Sequence, residues 1–318
     1  MKRPSLKPKL AAYLSIRKAL GKPIQSPLIL KDLVEYLDRQ DRREPITVQV
    51  VIDWVCNAPH GRGVSAQFAR ICLARAFLTY LRASIPDIEI PDTNLIAQPR
   101  RPNPYIFSDA EFRKVVSATR ELKDDSYCSI HKHTAETLFS LMICTGLRPG
   151  EVIKLTITDL VLDEMPPRLK IQGAKFHKSR WVPLHETAAD HLRDYLVWRQ
   201  SSKQAKFEDN LFLSKKGQRV KYAALRRLFL QVILNAEIYS QQGQSSPSLH
   251  SLRHTFAVQR MRTWYEEGLD VRALLPSLSV YLGHFDPAAT YWYLSATPEL
   301  LSSAALRFEE YTKARGAI

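Results

Sequence analysis

Residues 282–293 have the sequence Leu-Gly-His-Phe-Asp-Pro-Ala-Ala-Thr-Tyr-Trp-Tyr, which places Tyr293 nine residues after His284. A phenol with an ordinary pKa of about 10 needs a base and a cationic environment before it can attack at neutral pH. Two earlier segments supply such groups: Thr-Gly-Leu-Arg-Pro-Gly-Glu at 145–151 and His-Ser-Leu-Arg-His at 250–254. Together the three segments predict a tyrosine nucleophile among side chains that bind a phosphate.

The two arginines of these motifs, Arg148 and Arg253, are the groups that we expect to bind the phosphate. A phosphodiester gathers negative charge on its oxygens as it is attacked, and an arginine binds two such oxygens without losing its proton. His250 lies three residues before Arg253, so on a helix the two side chains share a face. Taken alone, a His-x-x-Arg pair is a weak signal whose ordinary explanation is a surface or capping role.

Two tyrosines compete for the role of nucleophile, Tyr291 and Tyr293. At about 100° per residue their side chains would point about 200° apart on a helix, so only one can enter the site. We assign the role to Tyr293. His284 alone would more often be a structural histidine, and it becomes a candidate because of its spacing from Tyr293.

The charge of the chain is strongly positive, with 46 Lys and Arg against 32 Asp and Glu and a formal net charge of +14. Residues 1–100 carry 16 basic and 9 acidic side chains, and residues 101–318 carry 30 and 23. Both halves are therefore basic, as expected if both contact one polyanion such as DNA. Charge alone leaves open a basic protein with no nucleic-acid partner.

The composition, 45% hydrophobic and 25% charged, is that of an ordinary globular protein. Four single cysteines lie in apolar stretches, which predicts buried, reduced core residues: Cys56, Cys72, Cys128 and Cys144. No apolar run approaches the roughly 18 residues of a membrane span, and the basic N-terminus lacks a signal core. We therefore expect a cytoplasmic location.

Four apolar-periodic stretches predict a small helical domain over residues 1–85, at 8–20, 28–39, 47–57 and 64–84. The last stretch carries three arginines that we assign to phosphate contacts, Arg70, Arg75 and Arg82, although a solvated basic face explains them equally well.

Residues 86–107 contain five prolines and the pair Arg100-Arg101. This proline density predicts an extended linker rather than a packed element. We therefore place the boundary between two domains here and assign Arg100 and Arg101 to DNA contacts.

The second domain, residues 108–318, opens with the helix-start signal Ser-Asp-Ala-Glu at 108–111. A helix at 133–145 is expected to end at Gly146, and Pro149 suits the first turn of the next helix, which puts Arg148 at a helix N-terminus. Short strands are expected at 156–162, 168–173 and 179–184. Helices follow at 186–201, 221–236, 250–267, 270–282, 286–293 and 298–314. The predicted fold class is mainly α with a small antiparallel sheet (α+β).

In the order and spacing of its motifs the chain resembles the tyrosine recombinases, the family of phage integrases and Xer-type recombinases. The resemblance covers residues 108 to about 296. It implies a helical, SAM-like core-binding domain and a catalytic domain that together form a C-shaped clamp on DNA. The implied activity is site-specific breaking and rejoining of DNA through a 3′-phosphotyrosine, in integration, excision or transposition, without metal or other cofactor.

The resemblance also implies a role for each motif residue. Arg148 and Arg253 would bind the scissile phosphate, His250 would handle the tyrosine proton, His284 would hydrogen-bond the phosphate and Tyr293 would be the nucleophile. The acidic residue after the first arginine, Glu151, would orient its neighbours, or it is simply a carboxylate at a helix N-terminus. His254 would be a buried supporting residue rather than a direct participant.

The family also uses a lysine on a β-hairpin as the general acid for the departing 5′ oxygen. The segment Ala-Lys-Phe-His-Lys, residues 174–178, offers Lys175 and Lys178. Alignment of Val-Pro-Leu at 182–184 with the family's strand favours Lys175 and leaves Lys178 as a DNA contact.

The partners implied are a double-stranded DNA target site, a homo-tetramer on DNA that is a monomer or dimer when free, and accessory recombination proteins. The location would be nucleoid-associated and no membrane contact is expected. The C-terminal helix 298–314 would dock on a neighbouring protomer or cover its own core. Residues 291–300 resemble recombinases of transposons and other mobile elements.

Two other functions stay open at this point. A type IB topoisomerase uses a similar set of side chains to relax supercoils. A catalytically silent DNA-binding or architectural protein would share the basic surface without the chemistry.

Overall fold

The computed structural model describes residues 4–41, 43–57, 63–99, 103–123, 130–174, 178–201, 209–240 and 245–284, with 290, 291 and 293. The chain forms two compact units, Met1–Arg101 and Pro102–Ile318. The described part of the first unit is helical, and the second adds a three-stranded antiparallel sheet to its helices. The predicted fold class of a mainly helical protein with a small sheet is confirmed.

The described part of the first unit contains four α-helices: α1 (Lys7–Ala19), α2 (Pro27–Arg39), α3 (Val48–Cys56) and α4 (Val64–Arg82). They follow the predicted stretches closely because apolar side chains recur at helical spacing. On α2, the side chains of Leu30, Leu33 and Leu37 form one fully buried stripe. Phe77 and Leu81 of α4 belong to the same core. Burial of each such side chain contributes about 1.5–3 kcal/mol.

The proline-rich stretch is packed in part, which corrects the prediction of an extended linker. Ile88 and Ile96 are buried in the core of the first unit, and the backbone N–H of Glu89 donates to the carbonyl of Ile46 at 2.9 Å. Tyr105 and Phe107 are buried in the core of the second unit. Apolar residues between the prolines pack because proline removes only a backbone donor and leaves side-chain burial possible.

The second unit contains seven α-helices in its described part. They are α5 (Asp109–Arg120), α6 (Lys132–Thr145), α7 (Pro149–Val152), α8 (Glu186–Ser201), α9 (Tyr222–Asn235), α10 (Leu249–Glu266) and α11 (Val271–Leu282). Side chains at the N-caps fix where they begin: Ser108 forms a capping box with Glu111, and Asp270 accepts from the first turn of α11. Such caps contribute about 1 kcal/mol each.

Two of these helices end at a glycine with left-handed backbone conformation. Gly146 ends α6 with a φ of 61°, and Gly283 ends α11 with a φ of 68°. Glycine adopts this conformation without the penalty that a Cβ would bring. Both helix ends lie at the candidate site.

The sheet has the order β1-β2-β3, with β1 (Leu160–Val161), β2 (Arg168–Ala174) and β3 (Lys178–Pro183) all antiparallel to their neighbours. The first strand is shorter than predicted because Ile157–Asp159 forms a 3-10 turn. In this turn the Asp159 carboxylate accepts from the backbone and hydroxyl of Thr156. Competing side-chain bonds of this kind replace the strand ladder.

A separate small core lies between the last two helices. It combines Met261 of α10 with Leu275 and Leu282 of α11, and it also contains the side chain of Tyr293. The packing of α10 on α11 therefore fixes where Tyr293 lies.

Other expectations have mixed outcomes. Cys56 and Cys144 are exposed and Cys72 is half-buried, so the prediction of buried cysteines is wrong for the first two, although all three are free thiols. Cys128, most of the predicted helix 286–293 and all of the helix 298–314 lie outside the described residues. None of the helices in the described part of the chain is long and apolar enough to cross a membrane.

Candidate active site

Arg148 is the N-cap of the short helix α7 and is tied to Glu151 one turn later. Its backbone N–H donates to Glu151 Oε2 at 3.0 Å and its Nη1 donates to Glu151 Oε1 at 2.8 Å. Its Nη2 donates to the carbonyl of Gly283 at 2.8 Å. The side chain stays 30% exposed, so a ligand can reach it.

Arg180 of β3 belongs to the same cluster, and sequence reasoning missed it. Its Nη1 and Nη2 donate to the two oxygens of Glu151 at 3.0 and 2.9 Å, and its Nε donates to the carbonyl of Tyr281 at 2.8 Å. A signal was available, because Arg180 and the buried Val182 lie on the same face of a strand. An arginine on a buried face needs hydrogen-bond acceptors around it.

Glu151 is the acidic centre of this cluster, with a side chain that is 9% exposed. Burial alone would raise its pKa, but the hydrogen bonds and charges of Arg180 and Arg148 outweigh burial and lower the pKa to about 2. The carboxylate therefore stays ionised at every pH at which the protein would act.

Arg253 of α10 is almost fully buried, with 3% exposure. Its Nη1 donates to the carbonyl of Gly146 at 2.9 Å and its Nη2 to the carbonyl of Leu282 at 2.6 Å. Burial, followed by the charge of Arg148, lowers its pKa to about 10, so the guanidinium remains charged at neutral pH.

His250 lies one turn before Arg253 on α10, as the spacing predicted. Partial burial of its ring, followed by the charges of Arg253 and Arg148, lowers its pKa from the ordinary value of 6.5. A neutral imidazole can accept a proton, so His250 has the protonation state that a base needs at neutral pH.

His284 follows Gly283 directly after α11. Its backbone N–H donates to the carbonyl of Ser279 at 2.9 Å, and its Nδ1 lies 2.6 Å from the hydroxyl of the buried Thr290. These two contacts fix the position and the orientation of the ring.

The structure separates the two tyrosines. Tyr293 is 2% exposed, and its phenol oxygen lies 2.7 Å from Nδ1 of His254. Tyr291 is 45% exposed. His254, which we expected to support the site without direct contact, therefore touches the candidate nucleophile itself.

The predicted general acid Lys175 lies outside the described residues, as do Arg100 and Arg101. Lys178 is the first residue of β3, but its side chain is also outside the described part. Among the residues that the structure describes, no group of three His, Cys, Asp or Glu side chains is arranged to hold a metal ion.

The three arginines of α4 differ from one another. Arg75 and Arg82 are exposed, and Arg75 donates to the carbonyl of Pro91 at 2.6 Å. Arg70 is 8% exposed, lies over the ring of Trp54 at 5.1 Å and is 3.6 Å from Asp32. Because the Arg70 side chain is buried against Trp54 and Asp32, we withdraw Arg70 as a phosphate contact.

Comparison with known proteins agrees with this geometry. The family described as the phage integrase family matches residues 111–299, which is more than half of the chain. The protein y4rB of Sinorhizobium fredii, which is named as an integrase/recombinase, is 33% identical over 301 residues, covering 93% of this chain and 95% of that protein. The chain belongs to the phage integrase family, so the family predicted from the motifs is confirmed.

Two solved structures share the fold. The XerH site-specific recombinase bound to a palindromic difH substrate superposes with a TM-score of 0.69 at 19% identity, over 92% of this chain and 82% of that one. The Tn1549 transposon integrase in complex with transposon right end DNA gives 0.67 at 15% identity, over 95% and 98%. At these identities the likeness shows the fold, and the side chains of this chain must carry the chemistry.

Proposed function

We propose that this protein is a site-specific DNA recombinase in which Tyr293 cleaves and rejoins DNA through a 3′-phosphotyrosine bond. The observation that carries the proposal is the convergence of Arg148 and Arg253 on the carbonyls of Gly283 and Leu282. Leu282 and Gly283 are the two residues that precede His284 in the chain. Family membership supports this function over a topoisomerase or a silent DNA-binding protein.

Arg148 and Arg253 bind the scissile phosphate in this proposal. A guanidinium has five N–H groups, and Arg148 uses two of them on described residues, one on Glu151 and one on Gly283. Its remaining donors can bind the phosphate oxygens that gain charge during attack. Because both arginines are already held in place, little of their side-chain freedom is lost when DNA binds.

The phenol oxygen of Tyr293 attacks phosphorus, and the bond from phosphorus to the 5′ oxygen breaks. The phenol proton passes to His250, whose lowered pKa keeps it neutral and able to accept. His254 holds the phenol until the phosphate is in place, and Lys175 protonates the departing 5′ oxygen. A 5′ hydroxyl from the partner strand reverses these steps. Because one phosphodiester replaces another, no external energy source is needed.

The test is covalent capture on a nicked duplex that carries the target site, identified from the repeats that flank the gene. The wild-type chain and Tyr291→Phe should form a protein–DNA adduct, and Tyr293→Phe should form none. An adduct that persists in Tyr293→Phe but is lost in Tyr291→Phe would move the nucleophile to Tyr291. Relaxation of any plasmid without site preference would support a topoisomerase instead.

We further propose that the protein acts as a tetramer on DNA, since exchange between two duplexes uses four tyrosines. Its core-binding and catalytic domains would be the two compact units, Met1–Arg101 and Pro102–Ile318, with DNA contacts from Arg75, Arg82, Arg100, Arg101 and Lys178. A mobile-element origin is supported by the likeness to a transposon integrase. We propose that the protein acts in the cytoplasm, at the nucleoid, together with accessory recombination proteins. Crosslinking on target DNA, with and without residues 298–318, tests assembly and the role of the C-terminal segment.

A further inference from the structure

Three arginines from three different elements donate to three consecutive carbonyls at the end of α11. Arg180 of β3 binds Tyr281 at 2.8 Å, Arg253 of α10 binds Leu282 at 2.6 Å, and Arg148 binds Gly283 at 2.8 Å. The last carbonyls of a helix lack partners within the helix and carry partial negative charge. The end of α11 is therefore a fixed docking point for three cations.

Arg180 differs from the other two because all three of its guanidinium nitrogens donate to described groups of the protein. Its Nε binds Tyr281, its Nη1 and Nη2 bind the two oxygens of Glu151, and its side chain is only 10% exposed. Arg148, by comparison, is 30% exposed. Arg180 is therefore well placed to hold its neighbours.

We infer that Arg180 is a positioning residue for strand cleavage, which aligns Arg148 through Glu151 and His284 through the end of α11. This inference rests on the proposed recombinase function. Glu151 receives Arg180 on both oxygens and Arg148 on both oxygens. Arg180 also lies in β3, so one side chain connects that strand to Arg148 through Glu151 and to the end of α11.

Gly283 shows how closely Arg180 fits this helix end. A Cβ built on Gly283 would lie 2.7 Å from Nη1 and 2.9 Å from Cζ of Arg180. Such contacts are far below van der Waals distance. The helix can end here only with glycine as long as Arg180 keeps its place.

The electrostatics of the cluster supply a signature that packing alone would not give. The charged groups around Glu151 are Arg148, Arg180 and Arg253, and Arg180 is the largest influence that opposes burial. Without Arg180, the largest influence that lowers the pKa of Glu151 is lost, and this pKa rises. Protonation of Glu151 would then release Arg148, so cleavage should acquire a new acid limb.

The experiment measures single-turnover cleavage of a suicide substrate over a range of pH, together with DNA affinity and thermal unfolding. Arg180→Gln should lower the cleavage rate about 100-fold with DNA affinity within about threefold of wild type, and its pH profile should show an acid limb in addition to the one that the wild type owes to His250. In Arg180→Gln/Glu151→Gln, which has no carboxylate to titrate, the added acid limb should vanish.

Arg180→Lys is the conservative variant, and it should rescue little because the compact ammonium of lysine lacks the planar fork that spans both oxygens of Glu151 and the carbonyl of Tyr281. Arg168→Gln is the matched control, since Arg168 is an ion-paired arginine of the same sheet that bonds Glu164 outside the site. It should cleave at the wild-type rate.

Three results would overturn the inference: wild-type cleavage by Arg180→Gln, full rescue by Arg180→Lys, or a loss of cleavage that only parallels lost folding and leaves the pH profile unchanged. Failure of the proposed function is a separate outcome. In that case the wild-type chain itself forms no adduct with DNA, or the adduct persists in Tyr293→Phe.

Discussion

Nδ1 of His254 and the phenol oxygen of Tyr293 lie 2.7 Å apart. His254 is four residues after His250 on α10, so both histidines are on one helix face, with Arg253 between them in sequence. The face that carries Arg253 therefore also carries the residue that contacts the buried phenol of Tyr293. This arrangement assigns different tasks to the two histidines, and each task can be tested.

His254→Leu should slow cleavage about 10- to 100-fold without weakening DNA binding, because the phenol loses the partner that orients it. His254→Asn should keep most of the activity, since its amide can take the place of Nδ1. Single-turnover adduct formation and a gel-shift titration measure the two quantities. Equal activity of the two variants would show that the contact is not used.

The cleavage rate should depend on the protonation of His250. Its pKa is lowered in the folded protein, so the neutral ring persists through neutral pH and is lost only as the pH falls below the ordinary value of 6.5. A rate profile should therefore be flat near neutrality and decline on the acid side. His185→Gln, at an exposed histidine bonded to Thr187, should keep this profile, whereas His250→Gln should lose the limb together with most of the activity.

Gly283→Ala should destabilise the second unit and abolish cleavage. A left-handed φ costs alanine about 1 kcal/mol, and the clash with Arg180 adds to this cost. Gly21→Ala is the matched control, because Gly21 has the same φ of 68° with nothing within 4 Å of its Cβ. Urea unfolding should show a loss for Gly283→Ala clearly larger than for Gly21→Ala. Similar losses would mean that Arg180 moves aside without cost.

Arg70 and Arg82 should behave in opposite ways although both lie on α4. Arg70→Ala should lower the free energy of unfolding by about 1–2 kcal/mol, since its side chain packs over Trp54. Arg82→Ala should leave the free energy of unfolding unchanged. It should weaken binding to DNA of any sequence and reduce the slope of log affinity against log salt concentration by about one. Thermal unfolding and DNA titrations at several salt concentrations separate the two effects. If Arg70→Ala instead reduced the salt dependence of DNA affinity, Arg70 would contact DNA after all.

Local signals in the sequence predicted most of the fold. Helix limits followed from apolar spacing and from caps such as Ser108 and Gly146, which act within one turn. The sheet was predicted from alternation, but the 3-10 turn at Ile157–Asp159 depends on a side-chain bond that alternation does not reveal. The packing of Ile88 and Ile96 also escaped prediction, because proline spacing carries no information on which core lies nearby.

The placement of a candidate residue was predictable where one motif fixes its spacing on a helix, as for His250 and Arg253 on α10. Arg180 was missed because its partners Glu151 and Tyr281 lie 29 and 101 residues away in sequence. The contact of His254 with Tyr293 spans 39 residues and depends on how α10 packs on α11. Such contacts depend on tertiary structure, and a sequence motif does not predict which distant residues will meet.

The two bonds of Arg253 to Gly146 and Leu282 also decide how much charge the site retains. Carbonyl dipoles hold the guanidinium in place without cancelling its unit charge, whereas a carboxylate would cancel it. In the described part of the site, the three arginines Arg148, Arg180 and Arg253 share one nearby carboxylate, that of Glu151. Over the described residues the cluster thus keeps a net positive charge, which would attract an anion such as the phosphodiester of the proposed function before any base is recognised.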